Sequence, residues 1–169
     1  MTQQSGQLMT KKLVTVRMED SVRMAYQVMN EKKIRHLPVT DNKGEIIGII
    51  SDRDLKRAMV PTVQSDLSRV MSGDKEVDFF PDHQTKDYMS WPACTVSEST
   101  SVHEVAELIL KDKISAVLVI DHHQAVKGII TTDDLLKLLL KFLDKSPEQK
   151  NTPVKSFIDY YNWSQLHWA

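Results

Sequence analysis

The chain has a single cysteine, Cys94, among 169 residues. No internal disulfide can form, and so little cysteine points to a reducing compartment. An excess of one charge is also missing. Lys and Arg number 22 against 23 for Asp and Glu, for a formal net charge of −1 and a pI near 6.6. That balance argues against an electrostatic nucleic-acid binder, which carries a clearly basic domain or stripe. Long hydrophobic runs are absent. The most apolar stretch, LLKLLLKFL at 135–143, is short and holds two lysines, too little for a membrane span. The opening MTQQSGQLMTKK lacks the apolar core of a signal peptide. The expected location is the cytoplasm.

Metal-ligand spacing is missing too. The six histidines include no His-x-x-x-His pair and no Cys/His cluster. His122 and His123 fall in an expected turn, where adjacent side chains are expected to diverge into solvent. No nucleophile, base and oxyanion donor assemble in sequence, so catalysis is not expected.

What is present is a repeat. Gly48 to Leu55 reads GIISDRDL, and Gly128 to Leu135 reads GIITTDDL, eighty residues on. The same offset, without a gap, places Met9-Thr10 on Met89-Ser90, Thr15-Val16 on Thr95-Val96, and Ser21-Val22 on Ser101-Val102. It also places Ile34 on Ile114, Val39 on Val119 and Asp41 on Asp121.

Each copy reads as strand–helix–strand–strand–helix. A short strand is expected at Val14–Val16, with Cys94 as the apolar filler matching Val14. Ser21 is a helix N-cap, followed by Val22, Ala25, Tyr26 and Met29 on one helical face. Copy two has Val102, Val105, Ala106 and Ile109 there, behind the capping box SVHE. A strand HLPVT, a turn DNKG and a strand EIIGII follow. The second turn, DHHQ, lacks glycine and predicts a wider loop. A last helix starts after Ser51 or Thr131. One copy is too small to bury much core alone. Two copies packed through their sheets and helices predict one α/β (α+β) module with an approximate twofold axis. The intervening stretch is polar, and its DFFP segment, Asp78 to Pro81, is expected to dock on the surface.

The junction Ser51-x-x-Asp54, repeated as Thr131-x-x-Asp134, supports two readings. As a helix cap, the hydroxyl accepts an early backbone N–H and the aspartate favours the positive helix end. As a binding element, the carboxylate accepts vicinal ribose hydroxyls, the hydroxyl and free N–H groups hold a phosphate, and the apolar strand walls a base.

Taken together, LMTKKLVTV, IRHLPVTD and GIISDRDLKRA in copy one, with YMSWPACTV, ISAVLVID and GIITTDDLLKLL in copy two, resemble the CBS domain. The duplication is similar to a CBS pair, or Bateman module, over roughly residues 7 to 143. The units are expected at 7–60 and 87–143, with a linker at 61–86 and a tail at 144–169. The resemblance implies two pseudo-twofold-related units packed sheet to sheet, with adenosine-type ligands (AMP, ADP or ATP) between them. It further implies regulation rather than catalysis, with no required cofactor, and frequent homodimers acting on a regulated protein yet to be named. Carried over, it gives base contacts at Thr15 and Val16, or Thr95 and Val96. Further wall contacts fall at Ile34, Arg35, His36, Leu37 and Pro38, or Ile114, Ser115, Ala116, Val117 and Leu118. Ribose falls to Asp54 and Asp134, beside Ser51 and Thr131.

The copies differ in charge. Copy one has Arg35, His36 and Arg53 where copy two has Ser115, Ala116 and Asp133. Phosphates need cationic donors, so the Asp54 cleft is the expected nucleotide site. The remaining alternative is a structural or dimerisation module whose clefts stay empty. The tail carries Phe157, Tyr160, Tyr161 and Trp163 at helical spacings. It is expected to form a helix docked on its own module or across a dimer, with a partner anchor as the next reading and membrane-surface binding last, because the segment lacks a basic face.

Overall fold

A computed structural model describes residues 3–60 and 78–143. The aromatic tail expectation lies outside the described residues. The chain forms two compact units, Met1–Leu135 and Leu136–Ala169. Both copies' sheets belong to the first.

Copy one consists of β1 (Val16–Arg17), α2 (Val22–Lys32), β2 (His36–Thr40), β3 (Ile46–Ser51) and α3 (Asp52–Arg57), preceded by the short α1 (Ser5–Leu8). β4 (Met59–Val60) and β5 (Asp78–Phe79) pair antiparallel. Copy two has β6 (Thr95–Ser97), α4 (Val102–Asp112), β7 (Ala116–Ile120), β8 (Val126–Thr131) and α5 (Thr132–Leu143). The sheets are β1-β2-β3 and β6-β7-β8, each one parallel pair plus one antiparallel hairpin. This is the mixed α+β arrangement expected from the pattern.

Local chemistry explains the helices. Ser21 and Ser101 accept the backbone N–H groups of Met24 and Glu104. The Glu104 carboxylate in turn accepts the Ser101 hydroxyl and N–H, and these bonds hold it below the usual range. Val22, Ala25 and Met29 line the buried face of α2, as Val102, Val105 and Ile109 do for α4. Both helices end on a lysine, Lys33 or Lys113, in the left-handed region at φ 53° and 54°.

Three expectations on the first strand and second turn are corrected. β1 begins at Val16 rather than Val14, because the ladder starts where Val16 meets Val39; Val14 instead packs beside the core. The DHHQ turn is no wider than DNKG. Asp121 accepts the N–H groups of His123 and Ala125, as Asp41 does those of Lys43 and Glu45. Gln124 adopts φ 65° where Gly44 adopts φ 84°. The His122 and His123 rings do not diverge; their centroids lie 3.8 Å apart.

The core has three parts. Leu37, Val39, Ile50 and Leu55 pack under α2 and α3 in copy one. Val105, Val117, Val119 and Ile130 form the counterpart in copy two. Ala116, Leu118 and Ile129 meet Ile46 and Ile49 between the sheets. Each fully buried Leu, Ile or Val contributes about 1.5–3 kcal/mol. Phe79 goes deeper than surface docking: it is 4% exposed and sits in the copy-one core against Tyr26.

Each copy's leading segment lies on the other copy. Thr10 bridges Ile129, and Ser90 bridges Ile49. The buried Ser5 hydroxyl donates to the Thr100 carbonyl (2.8 Å), and the buried Thr85 hydroxyl to that of Asp20 (2.9 Å). Met9 packs over Gly128 and Met89 over Gly48, where neither glycine has room for a Cβ. Every pair obeys the eighty-residue offset, so the exchange is the pseudo-twofold relation in contacts.

Candidate functional site: a cleft between the two copies

A cleft of about 270 Å³ opens at the β3–α3 junction. Copy one lines it with His36, Ile49, Ser51, Arg53 and Asp54. Copy two lines it with Cys94, Lys113, Ile114, Ser115 and Ala116, and the approach to β6 adds Ser90 and Pro92. The residues expected copy by copy are therefore combined across copies.

Ser51 ends β3 in extended backbone and caps α3. Its N–H and hydroxyl both donate to Asp54 Oδ2, at 2.9 and 2.6 Å, and the Asp54 N–H returns to Ser51 Oγ at 3.3 Å. Arg57 donates to Asp54 Oδ1 at 3.1 Å. Thr131 and Asp134 repeat the cap, with Asp134 Oδ2 accepting the Thr131 N–H at 2.9 Å and hydroxyl at 2.7 Å. The capping role holds in both copies. A carboxylate offers about four lone-pair sites, so Asp54 Oδ1 retains acceptor capacity at the cleft.

His36 crosses the cleft. Its Nε2 lies 2.7 Å from Ser115 Oγ. Burial lowers its pKa below the ordinary histidine value, against the opposing pull of Asp52. Burial also pushes the Cys94 thiol up, helped by Asp112, so the thiol stays protonated at neutral pH. Arg53 and Lys113 are exposed at the cleft and supply positive charge.

The other expected residues sit elsewhere. Val16 and Leu37 are in the copy-one core, with Ile34 packed partly buried against it. Val96 and Val117 are in the copy-two core. Leu118 lies between the sheets, and Pro38 is fully buried. Thr15 and Thr95 are exposed. Arg35 was expected beside His36 at the Asp54 cleft, but it does not line that cleft. Its guanidinium reaches Asp133 of copy two at 2.5 Å. Ile49, Ser90, Pro92, Cys94 and Lys113 were not anticipated. Among the described residues no group of three or more His, Cys, Asp or Glu could hold a metal ion, and no helix is long and apolar enough to cross a membrane.

The sequence that folds into this duplicated, interlocked arrangement matches the CBS domain family twice, over residues 6–61 and 86–141. The chain belongs to the CBS domain family. A CBS domain-containing protein of Dictyostelium discoideum is 30% identical over 143 residues, covering 85% of this chain and 95% of that protein. Solved CBS pairs share the fold. That of protein MJ0100, in complex with 5′-methylthioadenosine and S-adenosyl-L-methionine, superposes at TM-score 0.66 with 23% identity, covering 84% of this chain and 99% of that one. CBSX2 in complex with AMP superposes at TM-score 0.62 with 26% identity, covering 83% and 98%. The two CBS units of this chain thus meet around a cleft that each helps to build.

Proposed function

We propose that the chain is a non-catalytic regulatory module that binds an adenosine-type nucleotide, AMP, ADP or ATP, between its CBS units. The functional units are residues 7–60 and 87–143. The observation that carries the reading is the composite cleft. Asp54 and Ser51 from one CBS unit face Ile114 to Ala116 from the other, with Arg53 and Lys113 supplying charge for phosphate. The similarity to AMP-bound CBSX2 supports the ligand class. A ribose hydroxyl is received by Asp54 Oδ1, with the largely exposed Arg57 side chain giving way.

Ligand held by both units biases their relative orientation, and so a partner protein in the cytoplasm, as an energy sensor would. The available energy is the difference in ligand affinity between the two orientations. A homodimer belongs to the same proposal. On α5, Leu136, Leu139, Leu140, Phe142 and Leu143 are all more than half exposed, and contiguous apolar surface of this kind marks contact sites.

One observation favours a second reading, a structural or dimerisation module without a physiological nucleotide: both acids are already engaged in helix caps. Calorimetric titration of AMP into wild type, Asp54→Ala and Asp134→Ala separates the two. The nucleotide reading expects Asp54→Ala to weaken AMP at least about tenfold, or about 1.4 kcal/mol, and Asp134→Ala to retain binding. Loss confined to Asp134→Ala reverses the choice of cleft. If wild type binds no nucleotide and both variants lose only about 1 kcal/mol of cap stability, the structural reading stands.

A further inference from the structure

We propose that the cleft takes up its phosphate-bearing ligand together with one proton, and that His36 is the group that receives it. This rests on the nucleotide reading above and adds a regulation to that site.

The argument starts from placement. His36 lines the same cleft as Arg53 and Lys113. An anion drawn there by the two cations arrives beside an imidazole. Two cations, Arg53 and Lys113, and one acid, Asp54, line the cleft. The lining therefore favours an anion over an uncharged nucleoside or a sulfonium ligand.

The hydrogen bond across the cleft permits the change of charge. With a neutral ring, Ser115 Oγ donates to His36 Nε2; with a charged ring, Nε2 donates to the same oxygen. The hydroxyl rotates to suit either, so protonation reverses the 2.7 Å bond without breaking it.

The surrounding charges set the resting state. Arg35 on the same strand entry disfavours a charged ring, as burial does. Asp52 and Asp54 at the start of α3, and Asp133 at the start of α5, favour it. Lys113 and Arg53 line the same cleft, and the Cys94 thiol there stays neutral. The outcome is a ring uncharged at neutral pH until a phosphate arrives. Copy two has Ala116 at the position of His36, so the proton-linked response belongs to one half of the module.

The test is AMP affinity between about pH 8 and about pH 6, by calorimetry, for the full chain and its His36→Gln variant. The AMP phosphate itself titrates near pH 6, identically for both proteins, so their difference isolates the imidazole. A single linked proton gives at most about tenfold per pH unit. Wild-type affinity is expected to rise about three- to tenfold per unit relative to His36→Gln as pH falls. Should His36→Gln misfold, the His36 ring resonance of the wild type, followed by NMR with and without AMP, replaces it, and AMP is expected to move its titration to higher pH. AMP binding with the same pH profile in both proteins, or an unmoved ring titration, overturns this inference and leaves the nucleotide reading standing. No AMP binding by wild type at any pH overturns both.

Discussion

Where β3 passes into α3, copy one carries Ser51, Asp52, Arg53 and Asp54; where β8 passes into α5, copy two carries Thr131, Thr132, Asp133 and Asp134. The backbone and cap are the same. The middle of the turn differs by two units of charge at one position. Further along, α3 stops after six residues, whereas α5 runs for twelve and exposes a leucine stripe. The difference teaches how duplicated halves divide labour. Residues that close the helix end are kept in both, and residues that face outward from it are free to specialise. Copy one arms the cleft with Arg53 and His36. Copy two contributes Lys113 and a wall of Ile114, Ser115 and Ala116.

The comparison is tested most severely at the two glycines beneath the crossed leading segments. A Cβ on Gly48 meets the Ser90 carbonyl oxygen at 2.8 Å, whereas one on Gly128 meets the Met9 side chain, its Sδ and Cγ at 2.7 Å. Backbone yields less readily than a methionine. Gly48→Ala is expected to cost about 2–3 kcal/mol and Gly128→Ala less, by urea denaturation. Equal losses would show that the two crossings are energetically identical.

A smaller effect separates the twin lysines. Lys33 and Lys113 share a left-handed backbone that glycine adopts without strain. Both Lys33→Gly and Lys113→Gly should leave stability unchanged or raise it by up to about 1 kcal/mol. Only Lys113→Gly should weaken AMP, by about three- to tenfold for one lost phosphate cation. Matching AMP affinities would remove Lys113 from the site.

The smallest effect concerns the turns. Asp121 is pushed down to about 2, chiefly by a hydrogen bond from Lys127. Copy one has Ile47 in place of that lysine. The folded pKa lies below the free carboxylate's ~3.9, so this contribution is complete above about pH 4 and lost as pH falls towards 2. Lys127→Ile should therefore lower the melting temperature slightly near neutral pH, with the gap from wild type shrinking on acidification. A gap independent of pH would assign the change to packing instead.

Much of this was legible in the residues. The offset of eighty, the caps at Ser21, Ser51, Ser101 and Thr131, and the apolar faces of α2 and α4 are local signals, and local chemistry decides them. Asp54 and His36 were also within reach, because they stand next to such signals. Lys113, Pro92 and Cys94 were not, because they approach Asp54 from the opposite copy and no sequence period encodes that meeting. Arg35 misled for the same reason: its neighbour in sequence, His36, faces the cleft, while its own charge finds Asp133. Phe79 carried no periodicity at all, and only the β4–β5 pairing shows why it is buried.

The crossed leading segments mean that neither half is a spare part. Cut the gene at its midpoint, and each product keeps the strap meant for its sibling while baring the patch that strap should cover. Such fragments regain a finished surface only by finding one another, or by trading straps with a second chain. What duplication made twofold, the crossing has made indivisible.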